Sequence, residues 1–212
     1  MLLELIYYLY YLGSISYLLP LIVVILKRRM DFSPLHLYII INAVASFLAY
    51  CFFEYYSNSF PIYHFSIYLT AITLLLYFYK SDSTFFVFYL LSFITLGVTF
   101  FVDLLSQQGV WGNNFFTTVF SNVVLTLFSL RSLYLLLSDE NQQISEHIEH
   151  RFYISVAILL INSSSFFFSI LENQIRNSAS KLFLVSIPFL LSFNILFNIL
   201  LSIGLWKQAK VS

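Results

Sequence analysis

The chain reads as an all-α polytopic membrane protein, seven transmembrane helices in a compact bundle, and three observations carry that reading. Hydrophobic residues make up 60% of its 212 residues and charged residues only 9%, against about 25% charged in an ordinary soluble domain. The apolar residues gather in seven runs, each near the roughly 20 helical residues needed to cross a bilayer core about 30 Å thick. The runs are apolar on every face, whereas a membrane barrel shows alternating segments of about ten residues. Seven crossings with short turns use the whole length, so no separate catalytic or nucleic-acid-binding domain fits.

Each element has its own signal. The first run, 2–26, carries Glu4, lacks a basic stretch before it and ends in Lys27-Arg28-Arg29, the pattern of a retained span and not of a removed signal peptide. Span two, 35–53, follows Ser33-Pro34, a cap and a residue pre-set for the first helical turn. Pro61 starts span three, 61–79, and Ser81-Asp82-Ser83 caps span four, 84–102. Span five covers 115–137. The longest polar connection, SDENQQISEHIEHR from Ser138 to Arg151, reads as a turn and a helical lead-in to span six, 152–171. Span seven, 182–206, closes the bundle. Tyr55, Tyr56, Tyr79, Trp111 and Trp206 fall near span ends, where aromatic rings meet headgroups.

Lysine and arginine set the orientation, because short positively charged loops stay in the cytoplasm. With the N-terminus outside, Lys27, Arg28, Arg29, Lys80, Arg131, Arg151, Lys207 and Lys210 lie on the cytoplasmic side and only Arg176 and Lys181 opposite, eight against two. The expected topology is N-terminus outside and C-terminus cytoplasmic, in a bacterial inner membrane. A net charge of zero without an extended basic stretch leaves nucleic acid no electrostatic footprint.

Polar side chains are costly in hydrocarbon, so those inside the spans are the functional pointers. Asn122 in span five, Asn162 in span six, and Asn194 and Asn198 on one face of span seven are candidates for binding a neutral ligand. The favoured alternative is interhelical glue. Glu54, His64, Asp103 and Glu172 fall at the outer ends of spans two, three, four and six, and would line an outward vestibule if the bundle closes around them. Charges placed at span ends for solubility explain the same residues. Arg131, a few residues inside the cytoplasmic end of span five, either holds an anionic group or, as preferred, snorkels to the headgroups. Glu146, His147 and His150, with Glu149 beside them, form a cytoplasmic contact candidate. Two histidines three apart suit a metal, but a solvated helix start accounts for them, and neither a metal nor a cofactor is assigned. The lone Cys51 has no thiolate-activating neighbours and reads as a small core residue.

Several chemistries are excluded. The last span has lysines only at its ends, Lys181 and Lys207, so no retinal Schiff base sits deep within it. No Gly-rich phosphate loop, nucleophile elbow or pair of facing intramembrane aspartates occurs. His36 and His64 belong to opposite membrane sides and cannot clamp one haem.

Pro34-Leu35-His36-Leu37, Ile62-Tyr63-His64, Phe152-Tyr153-Ile154, Asn194-Ile195-Leu196-Phe197 and Gly204-Leu205-Trp206-Lys207 together resemble the uncharacterised small seven-span integral membrane proteins of Bacteroidota. The resemblance covers nearly the whole chain and implies architecture; it transfers no catalytic residue. A plan of three spans, a linker span and three more would match repeat-built carriers of the SWEET type, with Glu54 and Glu172 opening corresponding breaks, although no Pro-Gln signature occurs. The preferred functional reading is a sensory, regulatory or accessory membrane module. Its partners are the lipid bilayer and another membrane protein or signalling partner. A small neutral-solute transporter is the alternative, and an intramembrane enzyme using Glu54, His64, Asp103 or Glu172 is the least supported, with no catalytic residue assigned.

Overall fold

The computed structural model describes residues 4, 8–9, 12–13, 15–26, 33–56, 60–106, 114–138, 146–177 and 180–208, without the side chains of 53–54, 60, 146–148, 170–177 and 180–187. Among them the regular structure is all helical: α1 (Leu18–Leu26), α2 (Pro34–Tyr56), α3 (Phe60–Ser81), a 3₁₀ turn (Ser83–Phe85), α4 (Phe86–Leu104), α5 (Phe115–Ser138), α6 (Glu146–Asn177) and α7 (Ser180–Gln208). Six segments are long and apolar enough to cross a membrane: Pro34–Phe52, Pro61–Ser81, Ser83–Leu104, Phe115–Ser138, Glu149–Ser169 and Pro188–Gln208. Of the expected first span, 2–26, the described residues include the nine-residue helix α1. Most of 1–17 lies outside the described residues.

The helix starts follow local chemistry. Ser33 caps α2: its hydroxyl accepts from the His36 amide at 3.4 Å and its carbonyl from the Leu37 amide at 3.0 Å, meeting donors that a first turn leaves over. Asp82 accepts from both the amide and the hydroxyl of Thr84. That two-residue reach holds 83–85 in a 3₁₀ turn, so the α-helix proper begins at Phe86 and not at Thr84. Two ends run further than the apolar pattern alone indicates. Helix α2 continues past Glu54 to Tyr56, and α6 extends from Glu146 through Glu172 to Asn177. Glutamate is a good helix former, and a backbone ladder does not stop where hydropathy falls. The two glutamates expected to open breaks therefore lie within helices. Pro188 sits inside α7, where it removes one backbone rung without ending the helix.

The chain divides into two compact units, Met1–Met30 with Ser129–Ser212, and Asp31–Phe128, so α5 contributes 115–128 to the second and 129–138 to the first. In unit 1, α7 packs along α6 and against α1, around the fully buried Ile154, Ile158 and Leu201. In unit 2, α3 packs between α2 and α4, around Leu75, Phe78 and Leu96. Only three residues separate α2 from α3, which makes them an antiparallel hairpin and puts His36 and His64 at its opposite ends. Phe47, Val87, Phe88, Phe101, Leu127, Phe167 and Phe189 are all exposed. So broad an apolar exterior suits lipid and would be an aggregation liability in water.

Candidate functional site

Unit 1 joins its polar side chains to one another. The Asn194 amide donates to the Tyr17 hydroxyl at 2.5 Å, and the Asn198 amide donates to Ser16 Oγ at 3.0 Å and to Asn194 itself, at its carbonyl (3.0 Å) and its Oδ1 (3.3 Å). Ser16 in turn donates to the Gly13 carbonyl at 2.7 Å. The spacing of four between Asn194 and Asn198 makes this ladder possible, because it puts both on one face of α7. Asn162 turns back on its own helix and donates to the Ile158 carbonyl at 2.7 Å. Ser132 and Ser155 share a hydrogen bond of 2.9 Å between buried hydroxyls. Gly204 explains how α6 and α7 come so close: a Cβ there would sit 2.7 Å from Ile154 Cγ1 and 3.1 Å from the His150 carbonyl. At the same end, Lys207 pairs with Glu149 and lies 5.4 Å above the Tyr153 ring. His150 is buried, Arg131 is half-buried, and the side chains of Glu146, His147 and Glu172 lie outside the described ones.

Unit 2 is built on aromatic contacts. Tyr89 of α4 stacks on Phe128 of α5, with ring centroids 4.2 Å apart and planes within 9°, and Tyr68 of α3 stacks on Phe100 of α4 at 4.4 Å. One turn beyond the second stack, on α3 and α4 respectively, stand His64 and Asp103, 1% and 2% exposed. Asp103 Oδ1 accepts from the Phe116 amide at 3.2 Å and Oδ2 from the Thr117 amide at 2.7 Å. A carboxylate from α4 thus satisfies the first turn of α5, where the helix dipole favours negative charge. The side chain of Glu54, the fourth rim candidate, lies outside the described ones.

Asp103 leaves Asn114 with an unusual position. Asn114 precedes the first residue of α5, where asparagine ordinarily accepts from the second or third helical amide. Asp103 already holds both of those amides. Among the described residues, the Asn114 amide nitrogen is buried without a hydrogen-bond partner, as are Thr117 Oγ1, Thr118 Oγ1, the Asn122 amide nitrogen and Thr126 Oγ1. Of the four candidate amides, Asn122 belongs to unit 2 and Asn162, Asn194 and Asn198 to unit 1. Sequence reading picked out Asn122 but passed over its neighbours. The available signal was the run of polar residues at 114, 118, 122 and 126, four apart in an otherwise apolar span.

Fold and polar interior define a multi-pass α-helical membrane protein. No protein-family model, no curated protein and no solved structure matches the chain. Among the described residues no three His, Cys, Asp or Glu side chains gather in a way that would hold a metal ion.

Proposed function

We propose that the chain is a seven-span protein of the bacterial inner membrane, N-terminus outside, acting as a sensory, regulatory or accessory module that reaches a membrane or signalling partner through its lipid-facing surface or through the cytoplasmic stretch 146–151. The observation that carries this reading is the state of the amides in unit 1. Asn194 and Asn198 donate to Tyr17 and Ser16, remote in the chain, which is how polar residues tie membrane segments together, and Asn162 is spent on its own helix, donating to the Ile158 carbonyl. Side chains so engaged hold a scaffold and do not greet a passing solute. The distribution of lysine and arginine supports the orientation, and the resemblance to seven-span proteins of Bacteroidota supports the compartment.

The test is purification in gentle detergent followed by mass spectrometry of what is retained. The expected result is one stable protein partner, lost when Glu146, His147 and His150 are replaced together by alanine. Retention of no partner, together with liposome flux of a neutral solute that Asn194→Leu abolishes in a folded protein, would overturn the proposal in favour of a carrier. That second reading draws on one observation, the unpartnered amide of Asn122.

A further inference from the structure

Hydroxyl groups inside these helices mostly satisfy themselves by donating to a carbonyl three or four residues earlier. Thr70, Ser92, Thr99 and Ser163 do so at 2.7 to 3.0 Å. The first half of α5 departs from that habit at every fourth residue. Asn114, Thr118, Asn122 and Thr126 each present a buried polar atom with no hydrogen-bond partner among the described residues, and Thr117, 0% exposed, presents a fifth beside them. A spacing of four keeps them on one slowly turning ridge. At 1.5 Å per residue the ridge extends about 18 Å along the helix, over half of a hydrocarbon core about 30 Å thick. A structural stripe of valine and leucine would avoid the desolvation that these atoms suffer. None is needed to start the helix, since Asp103 performs that task.

We infer that this ridge lines a binding site for a small neutral solute rich in hydroxyl or carbonyl oxygens, such as a polyol or a carboxamide, reaching from the membrane face at the N-terminus of α5 to the middle of the bilayer. Amide nitrogens only donate, and threonine hydroxyls donate or accept, so the complementary ligand offers several acceptors and some donors. Neutrality follows from the surroundings. Helix α5 carries no charged residue before Arg131, and both oxygens of Asp103 already accept backbone amides. The inference goes beyond the partner reading and concerns unit 2 alone.

Alkylation of single cysteines tests it. In a Cys51→Ser background, Asn114→Cys, Thr118→Cys, Asn122→Cys and Thr126→Cys are compared with Val123→Cys and Leu127→Cys, which are exposed positions deeper along the same helix. The probe is iodoacetamide, itself a small neutral amide, applied to membrane vesicles of mixed orientation. Thiolates form where water reaches and not in hydrocarbon, so the ridge cysteines are expected to react about tenfold faster than the two lipid-facing ones. Glycerol at high concentration is expected to slow the ridge positions several-fold and leave the other two unchanged. Rates that match between the two faces, or that ignore glycerol on the ridge, would overturn the site. Rates are read only on protein that elutes as a single species in gel filtration. Should one variant misfold, the remaining ridge positions make the same comparison, and the partner experiment is read separately.

Discussion

Unit 1 and unit 2 contain similar polar residue types and treat them in opposite ways. In unit 1, Asn194, Asn198, Ser16 and Tyr17 form a bonded ladder between α7 and the residues just before α1, and Gly204 lets α6 and α7 approach to backbone contact. In unit 2, large rings carry the packing, and the polar ridge of α5 has donors that meet no partner among the described residues. In hydrocarbon a met amide strengthens a helix contact, whereas an unmet one only adds cost. One kind of residue therefore serves cohesion in one unit and is kept at a penalty in the other. A retained penalty is where a ligand site belongs.

Substitutions at five positions probe that contrast, each read by reversible unfolding in mixed detergent. Gly204→Leu should be the most damaging, at about 3 kcal/mol or more, because the new side chain meets Ile154 and a backbone carbonyl that cannot retreat. Gly204→Ala should lie between it and the parent, and equal stability of all three would remove the close-contact account of unit 1. Asp103→Ala should cost about 2 kcal/mol, since it strips two backbone amides of a charged acceptor. Asp103→Asn keeps an acceptor oxygen and should recover part of that loss. Asn198→Leu should cost about 1 kcal/mol by breaking the tie to Ser16.

The fourth position should reverse the sign. Asn122→Leu removes a buried donor that has no partner, so stability should hold or rise by up to about 1 kcal/mol. A clear loss there would place Asn122 with the bonded amides of unit 1 and end the contrast. Smallest of all is Lys207→Gln. The ion pair with Glu149 is partly exposed, with the two side chains 31% and 39% accessible, and such pairs contribute about 0 to 1 kcal/mol, less at high salt.

Much of the architecture was legible in composition. Sustained apolar runs announce membrane helices, and Ser33, Pro34, Pro61 and Asp82 mark starts because capping and proline effects act within a few residues of the backbone they govern. The start of α4 moved to Phe86 because Asp82 captures Thr84 through two groups at once, a choice between short-range options that spacing does not rank. The site was less legible. Asn194 and Asn198 were visible as a face, but their partners Ser16 and Tyr17 lie at the other end of the chain, and no local pattern links them. Asp103 carried a charge at a span end, and only its packing against the start of α5 turned that charge into a cap. Asn114, Thr117, Thr118 and Thr126 were in plain view at helical spacing, yet threonine in an apolar helix usually donates to its own backbone, and sequence gives no sign of which ones do not.

By itself, then, the sequence determined the solvent this protein requires, its helical class and the bias of its charged residues, because these depend on sums over many residues and on interactions a few positions apart. The tertiary structure alone decided which polar groups are satisfied. Hydrogen bonding is a matter of a few tenths of an ångström between atoms that can be remote in the chain, so whether an asparagine ties two helices together or waits unmet in the interior is settled by packing.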